Sequence, residues 1–550
     1  MDKPLVECVP NFSEGRDHAK IEAIANAIRS VPEVSLLDVD PGSDTNRTVY
    51  TFVGAPEAVK QAALEAARMA HAIIDMRAHH GAHPRIGALD VCPFVPVSGI
   101  SMEGCAQLAK DFAAQLAEEF RVPVFLYEKS ASRPERQSLA DIRAGEYEGL
   151  ADKLADPAWQ PDYGPARFDA RWGATVTGAR EFLIAYNVNL NTKDKKLAHD
   201  IALSIREAGR SIKDAEGNTT RVPGRLRAVR AIGWYIETYQ CAQVSINLLD
   251  FHETPLYAVF EAVKEEAEAR GLYVTGSELI GLIPLEAIRA CGQYYRRKMG
   301  RSPALADREL VDLAARTLGL RSVQPFESDK KIIEWAIGRA GSLVSMDVCS
   351  FVDTVSSDSP APGGGSVAAL AGALGAALGA MDANLTVGKK GYEAAAESLS
   401  VLGIKAQGLK RALLDIVDED TEVFNAVMEA LRLPKCSDEE KIARNAAIEE
   451  AEKNAARVPL KTAELCLETM KLCADTAKSG NANSVTDAAT GCNMAYAGVL
   501  SAILNVRINV QTLIDEQFKT AMRHDCEVLE DQAAIVRQEM DKTISDIFRD

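Results

Sequence analysis

The hydrophobic pattern changes near residue 345, and this change constrains the fold more than any other feature of the 550-residue chain. Before it, short apolar runs typical of strands alternate with amphipathic runs of helical period. After it, residues 344–550 are rich in Ala, Leu, Glu and Lys and contain long runs of 3.6-residue period, at 401–433 and 438–470. The sequence therefore predicts an α/β half followed by an all-α helical bundle, with Pro459 kinking or splitting the second long run.

One order of elements occurs twice in the first half. The first copy predicts a strand, a helix, two strands, a helix and a strand at 5–10, 18–30, 34–39, 47–53, 55–74 and 87–95, extended by a helix at 102–120 and a strand at 122–127. The second copy predicts the same order at 182–190, 195–208, 229–236, 242–249, 256–270 and 278–282. Both are βαββαβ, the ferredoxin-like split-βαβ arrangement, which indicates two tandem α+β subdomains with a cleft between them. The expected limits are 1–182 and 183–337 for the subdomains, 338–345 for a linker and 346–550 for the helical domain.

Charge and cysteine usage exclude several classes of protein. The net charge of −17 argues against a nucleic-acid binder. The eleven cysteines are scattered without any CxxC pair, and no signal peptide is recognisable, which predicts a cytoplasmic protein. The most apolar stretch, 366–381, is built largely from Ala and Gly and is shorter than the roughly 20 residues of a membrane span, so a buried helix with close helix neighbours is expected and no membrane partner.

Three of the eight histidines lie in one short run, His79, His80 and His83. Gly81 and Pro84 interrupt helical continuity there, so the run is expected on a turn before a buried strand. Histidine titrates near neutrality, which makes the run a candidate for proton transfer. Two alternatives stay open: the histidines are local hydrogen-bond partners of a turn, or they bind zinc, for which the spacing is poor.

Two features of the helical half are candidates for chemistry. The loop Pro360-Ala361-Pro362-Gly363-Gly364-Gly365-Ser366 exposes backbone N–H groups before a helix, as in an anion site, or it is a hinge with Ser366 as helix N-cap. Asp420 lies on a largely apolar helix face, where burial would raise its pKa as a general acid requires, or it belongs to an exposed acidic stripe.

Three further loops carry polar groups. The loop at 480–487 could cap a helix or hydrogen-bond a heterocycle's amide edge. The loops at 162–168 and 222–227 combine exposed backbone with nearby cations, so each could hold an aromatic, carboxylated ligand or could simply be a turn.

Longer motifs carry a resemblance to a known family. The runs at 5–15, 36–40, 46–52 and 79–94 closely resemble glutamate formimidoyltransferase. The loop at 360–366 and the segment at 416–424 look like formimidoyltetrahydrofolate cyclodeaminase, with a looser match. In this order the two resemble the bifunctional formimidoyltransferase-cyclodeaminases of histidine degradation, and the resemblance covers essentially the whole chain.

The resemblance implies two consecutive reactions. The formimino group of N-formimino-L-glutamate passes to N5 of tetrahydrofolate and glutamate leaves; N10 then attacks the formimino carbon, ammonia leaves and 5,10-methenyltetrahydrofolate forms. The resemblance also implies folate polyglutamate as the preferred carrier and a large ring-like homo-oligomer. No metal is expected, and the expected partners are the two small-molecule substrates.

Site residues follow from the same resemblance, position by position. It implies His83 as the catalytic base of the transferase, Asp40 as its supporting carboxylate and Asp420 as the proton donor of the helical domain, where the neighbouring Asp418 is a second candidate. The folate-contacting residues that it implies are Gly164, Pro165, Ala166, Arg167, Phe168, Asp169, Ala170, Arg171, Trp172, Gly173 and Gly224.

Three rival interpretations remain for the sequence. The helical half could be a methenyltetrahydrofolate cyclohydrolase-like enzyme, which opens the same ring system with water. It could instead be a non-catalytic oligomerisation module, for which its Ala/Gly helix would be suited. The whole chain could also bind folate without turnover.

Overall fold

A computed structural model describes residues 4–43, 45–81, 84–213, 219–237, 239–323, 325–337 and 343–548. The chain divides into two compact units, one of Met1–Ile288 with Leu318–Gly338 and one of Arg289–Thr317 with Arg339–Asp550. The first is α/β and the second is helical, so the predicted fold class is confirmed. Most of the predicted linker lies outside the described residues.

The first subdomain is built on one seven-stranded mixed sheet. Its strands are β1 (Leu5–Cys8), β2 (Asn11–Phe12), β3 (Val34–Gly42), β4 (Arg47–Gly54), β5 (Leu89–Ser98), β6 (Val124–Leu126) and β7 (Thr175–Ala179). Its helices are α1 (His18–Arg29), α2 (Pro56–Ile73), α3 (Met102–Phe120), α4 (Leu139–Arg143) and α5 (Leu150–Ala155). The strand order is β1-β4-β2-β5-β7-β6, with β3 on β4, and β1 also pairs with β5.

The two faces of this sheet differ in chemistry. One face packs against α1, α2 and α3 through large apolar side chains such as Phe52, Phe94 and Phe112. Because side chains alternate along a strand, every second residue of each strand points to the other face of the sheet. That other face, the polar face, carries Glu7, Asn11, Asp38, Asp40 and Arg47 at β1–β4, together with Val49, Thr51 and Val53 of β4.

The second subdomain carries a four-stranded antiparallel sheet of order β11-β12-β8-β13 and a separate β9–β10 pair. The strands are β8 (Ile184–Leu190), β9 (Arg210–Lys213), β10 (Thr219–Val222), β11 (Val229–Ile236), β12 (Cys241–Leu248) and β13 (Val274–Ile280). The helices that follow in the chain order are α6 (Lys195–Ile205), α7 (Leu256–Glu268), α8 (Leu285–Lys298), α9 (Asp307–Leu318), α10 (Ser328–Lys331) and α11 (Ile333–Ala336). Most of α9 belongs to the helical unit.

The helical unit is organised around its most apolar helix. Its further helices are α12 (Val348–Val355), α13 (Gly364–Thr386), α14 (Ala396–Arg432), α15 (Asp438–Ser479), α16 (Val485–Asn509) and α17 (Glu516–Ile547). In α13, a Cβ added to Gly375 would lie 2.6 Å from the backbone oxygen of Gly491 on α16, and one on Gly372 would lie 2.4 Å from Sγ of Cys466 on α15. The predicted close packing of this helix is therefore confirmed.

Within the described part of the chain, α13 is also the one helix that is long and apolar enough to cross a membrane by length and composition. Of its most apolar 18-residue window, 56% is buried inside the protein. Glycine contacts with two neighbouring helices explain this composition as that of a packed core helix.

Of the two effects predicted for Pro459, a kink or a split of the second long run, the split is wrong, because α15 continues through it from Asp438 to Ser479. Proline lacks the N–H that would bond the carbonyl four residues earlier, that of Ala455. Nδ2 of Asn509, the last residue of α16, donates to that carbonyl at 2.7 Å. A side chain from the next helix thus supplies the hydrogen bond that proline removes.

We expect Asn509→Ala to lower the free energy of unfolding of the helical unit by about 1–2 kcal/mol, because the Ala455 carbonyl is left without its donor. Urea unfolding followed by helical circular dichroism measures this. Asn493→Ala, at an exposed position of the same helix, is the matched control. Equal midpoints for the two variants would contradict this role of Asn509.

Candidate functional site

The neighbours of His79 favour its neutral form. Its Nε2 lies 2.6 Å from the backbone oxygen of Asn46, to which it donates, and its Nδ1 accepts from Nε of Arg85 at 3.3 Å. Burial lowers the pKa of His79, although the Asn46 carbonyl acts in the opposite direction. A buried neutral imidazole with both nitrogens engaged is a structural group, so this histidine is a hydrogen-bond partner of its turn.

Asn46 holds the histidine segment against the turn between β3 and β4. Its Nδ2 donates to the backbone oxygen of His80 at 3.1 Å, and its Oδ1 accepts from the backbone N–H of Gly15 at 3.0 Å. Gly81 approaches the same turn so closely that a Cβ would lie 2.0 Å from the Thr45 oxygen. The chain is thereby positioned on the N-terminal side of His83, which itself lies outside the described residues.

Asp40 lies on the polar face of the first sheet, one strand away from Arg47. Asp40 and Asn11 both pair with Val49, from opposite sides of β4, and Arg47 is two residues along that strand. Arg47 donates to Oδ1 of Asn11. Burial lowers the pKa of Arg47, while the carboxylates of Asp90 and Asp40 oppose the shift. Asp40 itself is exposed, so this end of the sheet offers an accessible carboxylate beside a half-buried cation.

A pocket of about 440 Å³ opens beside the histidine segment, lined by His80, Gly81, Arg85, Gly145, Glu146 and Glu148. Arg85 spans it: its guanidinium donates to both oxygens of Glu148 at 2.8 and 2.7 Å and to Glu146 at 3.3 Å. The hydrogen bonds from Arg85 hold the pKa of Glu148 down at about 2. The pocket therefore combines a fixed cation with two glutamates, and sequence reasoning named none of these three residues.

The predicted folate loop, residues 164–173, is tied to the chain on both sides of the histidine segment. The backbone oxygen of Arg171 accepts from Met76 N at 2.9 Å, and that of Trp172 accepts from Ala88 N at 2.8 Å. Gly173 has a φ of +81°, and a Cβ there would lie 2.1 Å from the Ile86 oxygen, which explains the glycine.

Aromatic contacts also connect the predicted folate loop to residues that line the pocket. Phe168 packs on Tyr147 with ring centroids 5.4 Å apart, and Arg85 lies 5.7 Å from the same Tyr147 ring. The hydroxyl of Tyr147 donates to the backbone oxygen of Ala170. The structure thus brings the predicted folate loop and the histidine segment together, with Tyr147 between them.

Gly224 is the one predicted folate contact in the second subdomain. A Cβ there would lie 2.0 Å from the Arg206 oxygen, so the position requires glycine for a close backbone approach. Its described neighbours, Arg206 and Ser204, are not residues of the 164–173 loop.

A buried polar network covers one face of the second sheet, and sequence reasoning missed it. Oε1 of Glu278 accepts from Asn187 at 3.1 Å and from Gln243 at 3.0 Å, while its Oε2 accepts from Tyr239 at 3.0 Å. Gln243 also donates to Oδ1 of Asn189 at 2.6 Å. In the sequence these residues alternate with apolar ones, which is the pattern of a solvent-facing strand side, so local periodicity gives no signal for their burial.

In the helical unit the structure joins two features that the sequence predicted separately. Oγ of Ser366, in the first turn of α13, lies 3.1 Å from Oδ2 of Asp420 and 2.9 Å from the Val417 oxygen, and its one proton is shared between these two acceptors. A Cβ on Gly365 would lie 2.1 Å from Oδ1 of Asp420. Burial raises the pKa of Asp420, and hydrogen bonds from the Ser366 side chain and backbone reduce the rise. The alternative in which Ser366 is the helix N-cap is wrong, because Gly363 occupies that position.

Asp418 faces a different partner. Its Oδ1 accepts from the backbone N–H of Leu343 at 2.6 Å. Two residues apart on a helix, Asp418 and Asp420 point in different directions. Asp420 alone of the two is in contact with the glycine loop among the described hydrogen bonds.

The loop at 480–487 holds a second buried carboxyl. Ser484 occupies the N-cap position of α16, but its hydroxyl donates to Oδ1 of Asp382 instead of capping. Burial raises the pKa of Asp382 to about 6. Nδ2 of Asn481 donates to Oγ of Ser484 at 2.9 Å. Asp382 lies 16 residues after Ser366 on α13, about 24 Å at 1.5 Å per residue, so this cluster is separate from Asp420 within one chain.

Neither metal-ion clusters nor disulfides are present within the described ranges. Those ranges contain no group of three or more His, Cys, Asp or Glu side chains arranged to hold a metal ion. The cysteines in them are free thiols, most of them buried.

Comparison with protein families matches nearly the whole chain. Residues 5–180 match the formiminotransferase domain, N-terminal subdomain; residues 185–338 match the formiminotransferase domain; and residues 347–528 match formiminotransferase-cyclodeaminase.

Known proteins resemble the whole chain or one of its halves. The formimidoyltransferase-cyclodeaminase of Rattus norvegicus is 46% identical over 94% of this chain and 95% of its own length. The glutamate formimidoyltransferase of Streptococcus pyogenes is 42% identical over 53% of this chain and 93% of its own length. The methenyltetrahydrofolate cyclohydrolase of Methylorubrum extorquens is 42% identical over 36% of this chain and 94% of its own length.

We expect His79 to make the stability of the protein depend on pH. Its folded-state pKa is lowered, so folding favours the neutral form; the stability is fully present above the ordinary value near 6.5 and is lost as the pH falls towards the lowered one. Thermal melts between pH 5 and 7 should therefore fall more steeply for wild type than for His79→Gln, which has no titrating ring. His252→Gln, at an exposed position, should keep the wild-type slope, and a wild-type slope in His79→Gln would refute the assignment.

Proposed function

The chain belongs to the formimidoyltransferase-cyclodeaminase family, and from this premise we propose which of its residues carry the chemistry. It is a bifunctional folate enzyme. It transfers the formimino group of N-formimino-L-glutamate to N5 of tetrahydrofolate with release of glutamate, and it then cyclises 5-formiminotetrahydrofolate to 5,10-methenyltetrahydrofolate with release of ammonia. Tetrahydrofolate is thus a substrate.

His83 is the proposed base of the first reaction. When N5 of tetrahydrofolate attacks the formimino carbon, a tetrahedral intermediate forms and N5 must lose its proton. An imidazole can accept that proton and return one to the glutamate nitrogen as the carbon–nitrogen bond to glutamate breaks. The fixed segment at His79–Gly81 supports this proposal, because it restricts where the next residues of the chain can lie.

Asp40 is the proposed partner of His83. A carboxylate hydrogen-bonded to an imidazole selects its tautomer and stabilises the imidazolium. Asp40 is suited to this because it is exposed on the polar sheet face, on the strand that leads into the turn holding the histidine segment. Folate is proposed to lie against the 164–173 loop and Gly224, and the contact of Phe168 with Tyr147 supports a position beside the pocket.

Asp420 is the proposed proton donor of the second reaction. Attack of N10 on the formimino carbon gives a tetrahedral carbon bearing an amino group, which leaves as ammonia only after it is protonated. A carboxyl group whose pKa is raised by burial can supply that proton. The carboxylate left behind keeps the hydrogen bond from Ser366. The single observation that supports this assignment best is the contact between Asp420 and the loop at Gly363–Ser366.

A second candidate for the helical half is a cyclohydrolase-like activity. It is favoured by the methenyltetrahydrofolate cyclohydrolase of Methylorubrum extorquens, which matches 36% of this chain over 94% of its own length. Such an enzyme would open the methenyl ring with water. Release of ammonia from 5-formiminotetrahydrofolate distinguishes the two activities.

The proposal also covers the pathway, location, preferred substrate form and assembly of the enzyme. We propose that the enzyme acts in histidine degradation in the cytoplasm, prefers polyglutamylated folate, needs no metal and forms a large ring-like homo-oligomer. The proposed limits remain 1–182 and 183–337 for the transferase subdomains, 338–345 for the linker and 346–550 for the cyclodeaminase domain.

An assay with two signals tests the proposal. Purified protein is given tetrahydrofolate and formiminoglutamate; glutamate release reports the first step, and methenyl absorbance with ammonia release reports the second. His83→Ala should reduce glutamate release at least about a hundredfold. Asp420→Asn should release glutamate normally and accumulate 5-formiminotetrahydrofolate. Methenyl formation at the wild-type rate by Asp420→Asn would refute its role.

The packing of Gly365 gives a sharper test of the same site. A methyl group there must displace the Asp420 carboxyl, so Gly365→Ala should reduce ring closure at least about tenfold and leave glutamate release unchanged. Gly363→Ala is the matched control, because its Cβ would lie 3.6 Å from its nearest neighbour, the Pro360 oxygen. If both variants close the ring equally well, the carboxyl does not need the position that it has in the structure.

A further inference from the structure

The pocket beside the histidine segment contains a cation and two carboxylates, and the proposed reactions use none of them. Its volume of about 440 Å³ is within the range of small-molecule sites, roughly 300–1,000 Å³. Gly81 and Arg85 line it, and these two residues lie on either side of His83 in the chain. A ligand in this pocket would therefore lie next to the segment that carries the proposed base.

The guanidinium of Arg85 is fixed on its inner side and has replaceable partners on its outer side. The side chain is only 6% exposed. On the inner side, Nε donates to Nδ1 of His79 and Nη2 to the His79 backbone oxygen, both at 3.3 Å. The outer partners are Glu146 and Glu148, whose side chains are 46% and 62% exposed. Because water competes for exposed carboxylates, the carboxylate of a ligand can replace them while the cation stays in place.

The turn that carries these glutamates has a specified backbone. Gly145 and Glu146 have φ values of +90° and +53°, in the left-handed region, which a glutamate rarely adopts. The N–H of Glu146 donates to the Arg143 oxygen at 2.7 Å, and that of Gly149 donates to the Gly145 oxygen at 2.8 Å. Glu146 and Glu148 are thus held at the pocket by a closed turn.

The charges of the pocket favour a ligand that carries both signs. One guanidinium and two carboxylates leave one negative charge in excess. A ligand that has carboxylates alone, such as the glutamate tail of a folate, would meet repulsion from the two glutamates. A ligand whose cation and anion are neighbours would match Arg85 and Glu148, which lie side by side at 2.7 and 2.8 Å.

Formiminoglutamate has this arrangement of charges. An N-alkyl formamidine is a strong base and is protonated at neutral pH. Its nitrogen is attached to the carbon that bears the α-carboxylate, so the formamidinium cation and this anion are adjacent. A formamidinium also presents two N–H groups in parallel, which a carboxylate can accept through both of its oxygens.

We infer that Arg85 and Glu148 bind formiminoglutamate by an exchange of ion-pair partners. Without substrate the two side chains pair with each other. In the complex, Glu148 accepts hydrogen bonds from the formamidinium and Arg85 donates to the α-carboxylate, so one ion pair becomes two and no charge is left unpaired. The carboxylate keeps the formamidinium protonated, and in this form its carbon is the better electrophile for N5. The inference rests on the proposed transferase function and names residues that recognise its first substrate.

An uncharged analogue separates the two contacts. N-formylglutamate has the same skeleton, with a neutral amide in place of the formamidinium. At saturating tetrahydrofolate, chromatography of the folate products gives kcat/KM for formiminoglutamate, and inhibition of that transfer gives Ki for N-formylglutamate. Glu148→Gln should reduce kcat/KM at least about tenfold, because the formamidinium loses its anionic partner. It should not raise Ki, because the neutral amide does not need a carboxylate.

Two further variants complete the experiment. Arg85→Lys keeps the positive charge but not the two parallel N–H donors, so it should raise Ki for N-formylglutamate and KM for formiminoglutamate, each at least about fivefold. Glu135→Gln, which removes the same charge as Glu148→Gln at an exposed position outside the pocket, should keep both wild-type constants.

Either of two results for Glu148→Gln would overturn the inference: an unchanged kcat/KM, or equal losses for both compounds, which a merely structural role would give. If Arg85→Lys fails to fold, Glu148→Gln decides, since its side chain is exposed. Absence of formimino transfer in wild type would overturn the proposed function and this inference with it. Transfer in wild type combined with either result for Glu148→Gln would overturn the inference alone.

Discussion

The contact between Asp420 and the first turn of α13 is the interaction on which the proposed function of the helical half depends. A carboxyl group can protonate a leaving amine only from its protonated form, and burial favours that form of Asp420 by raising its pKa. The loop can approach the carboxyl so closely because Gly365 has no side chain, and Ser366 gives the resulting carboxylate a hydrogen bond. The glycine run thus shapes a carboxyl site, whereas its N–H groups alone had suggested an anion site.

The transferase half depends on positioning of a different kind. There the backbone is fixed around the histidine segment. Asn46 donates to the backbone oxygen of His80, and the C-terminal end of the predicted folate loop bonds to residues on both sides of the segment. Both ring nitrogens of His79 make hydrogen bonds within this segment, so neither is available to a substrate. Within the run, His79 therefore has a structural role, and catalysis is proposed for His83 on the family resemblance.

Local sequence patterns predicted the helices and strands well, but they predicted the contacts between these elements poorly. The βαββαβ repeats and the long helices could be predicted from the spacing of apolar residues, because this spacing involves only residues that are close in the chain. Strand β2 has two residues, too few for an alternation of apolar and polar side chains to be visible. Strand β7 has five residues, all of them buried, so it shows no such alternation. Asp420 and Ser366 were each singled out, but 54 residues separate them, and only packing of α13 on α14 brings them together. The continuity of α15 through Pro459 depends on Asn509 in the next helix, which no pattern within α15 reveals. The Glu278 network escaped notice because burial of a polar strand face is decided by what covers it.

The proposed second reaction depends on the protonation state of Asp420, and infrared difference spectroscopy measures that state most directly. The carbonyl stretch of a protonated carboxyl is compared between wild type and Asp420→Asn as the pH is raised from 3 to 8. Because burial raises the pKa of Asp420, we expect a band, absent from the variant, that persists above the ordinary carboxyl pKa near 3.8. A second band from Asp382, whose pKa is raised to about 6, is identified with Asp382→Asn. Loss of the Asp420 band at or below its ordinary pKa would contradict the account, because the carboxyl could not then protonate the departing ammonia.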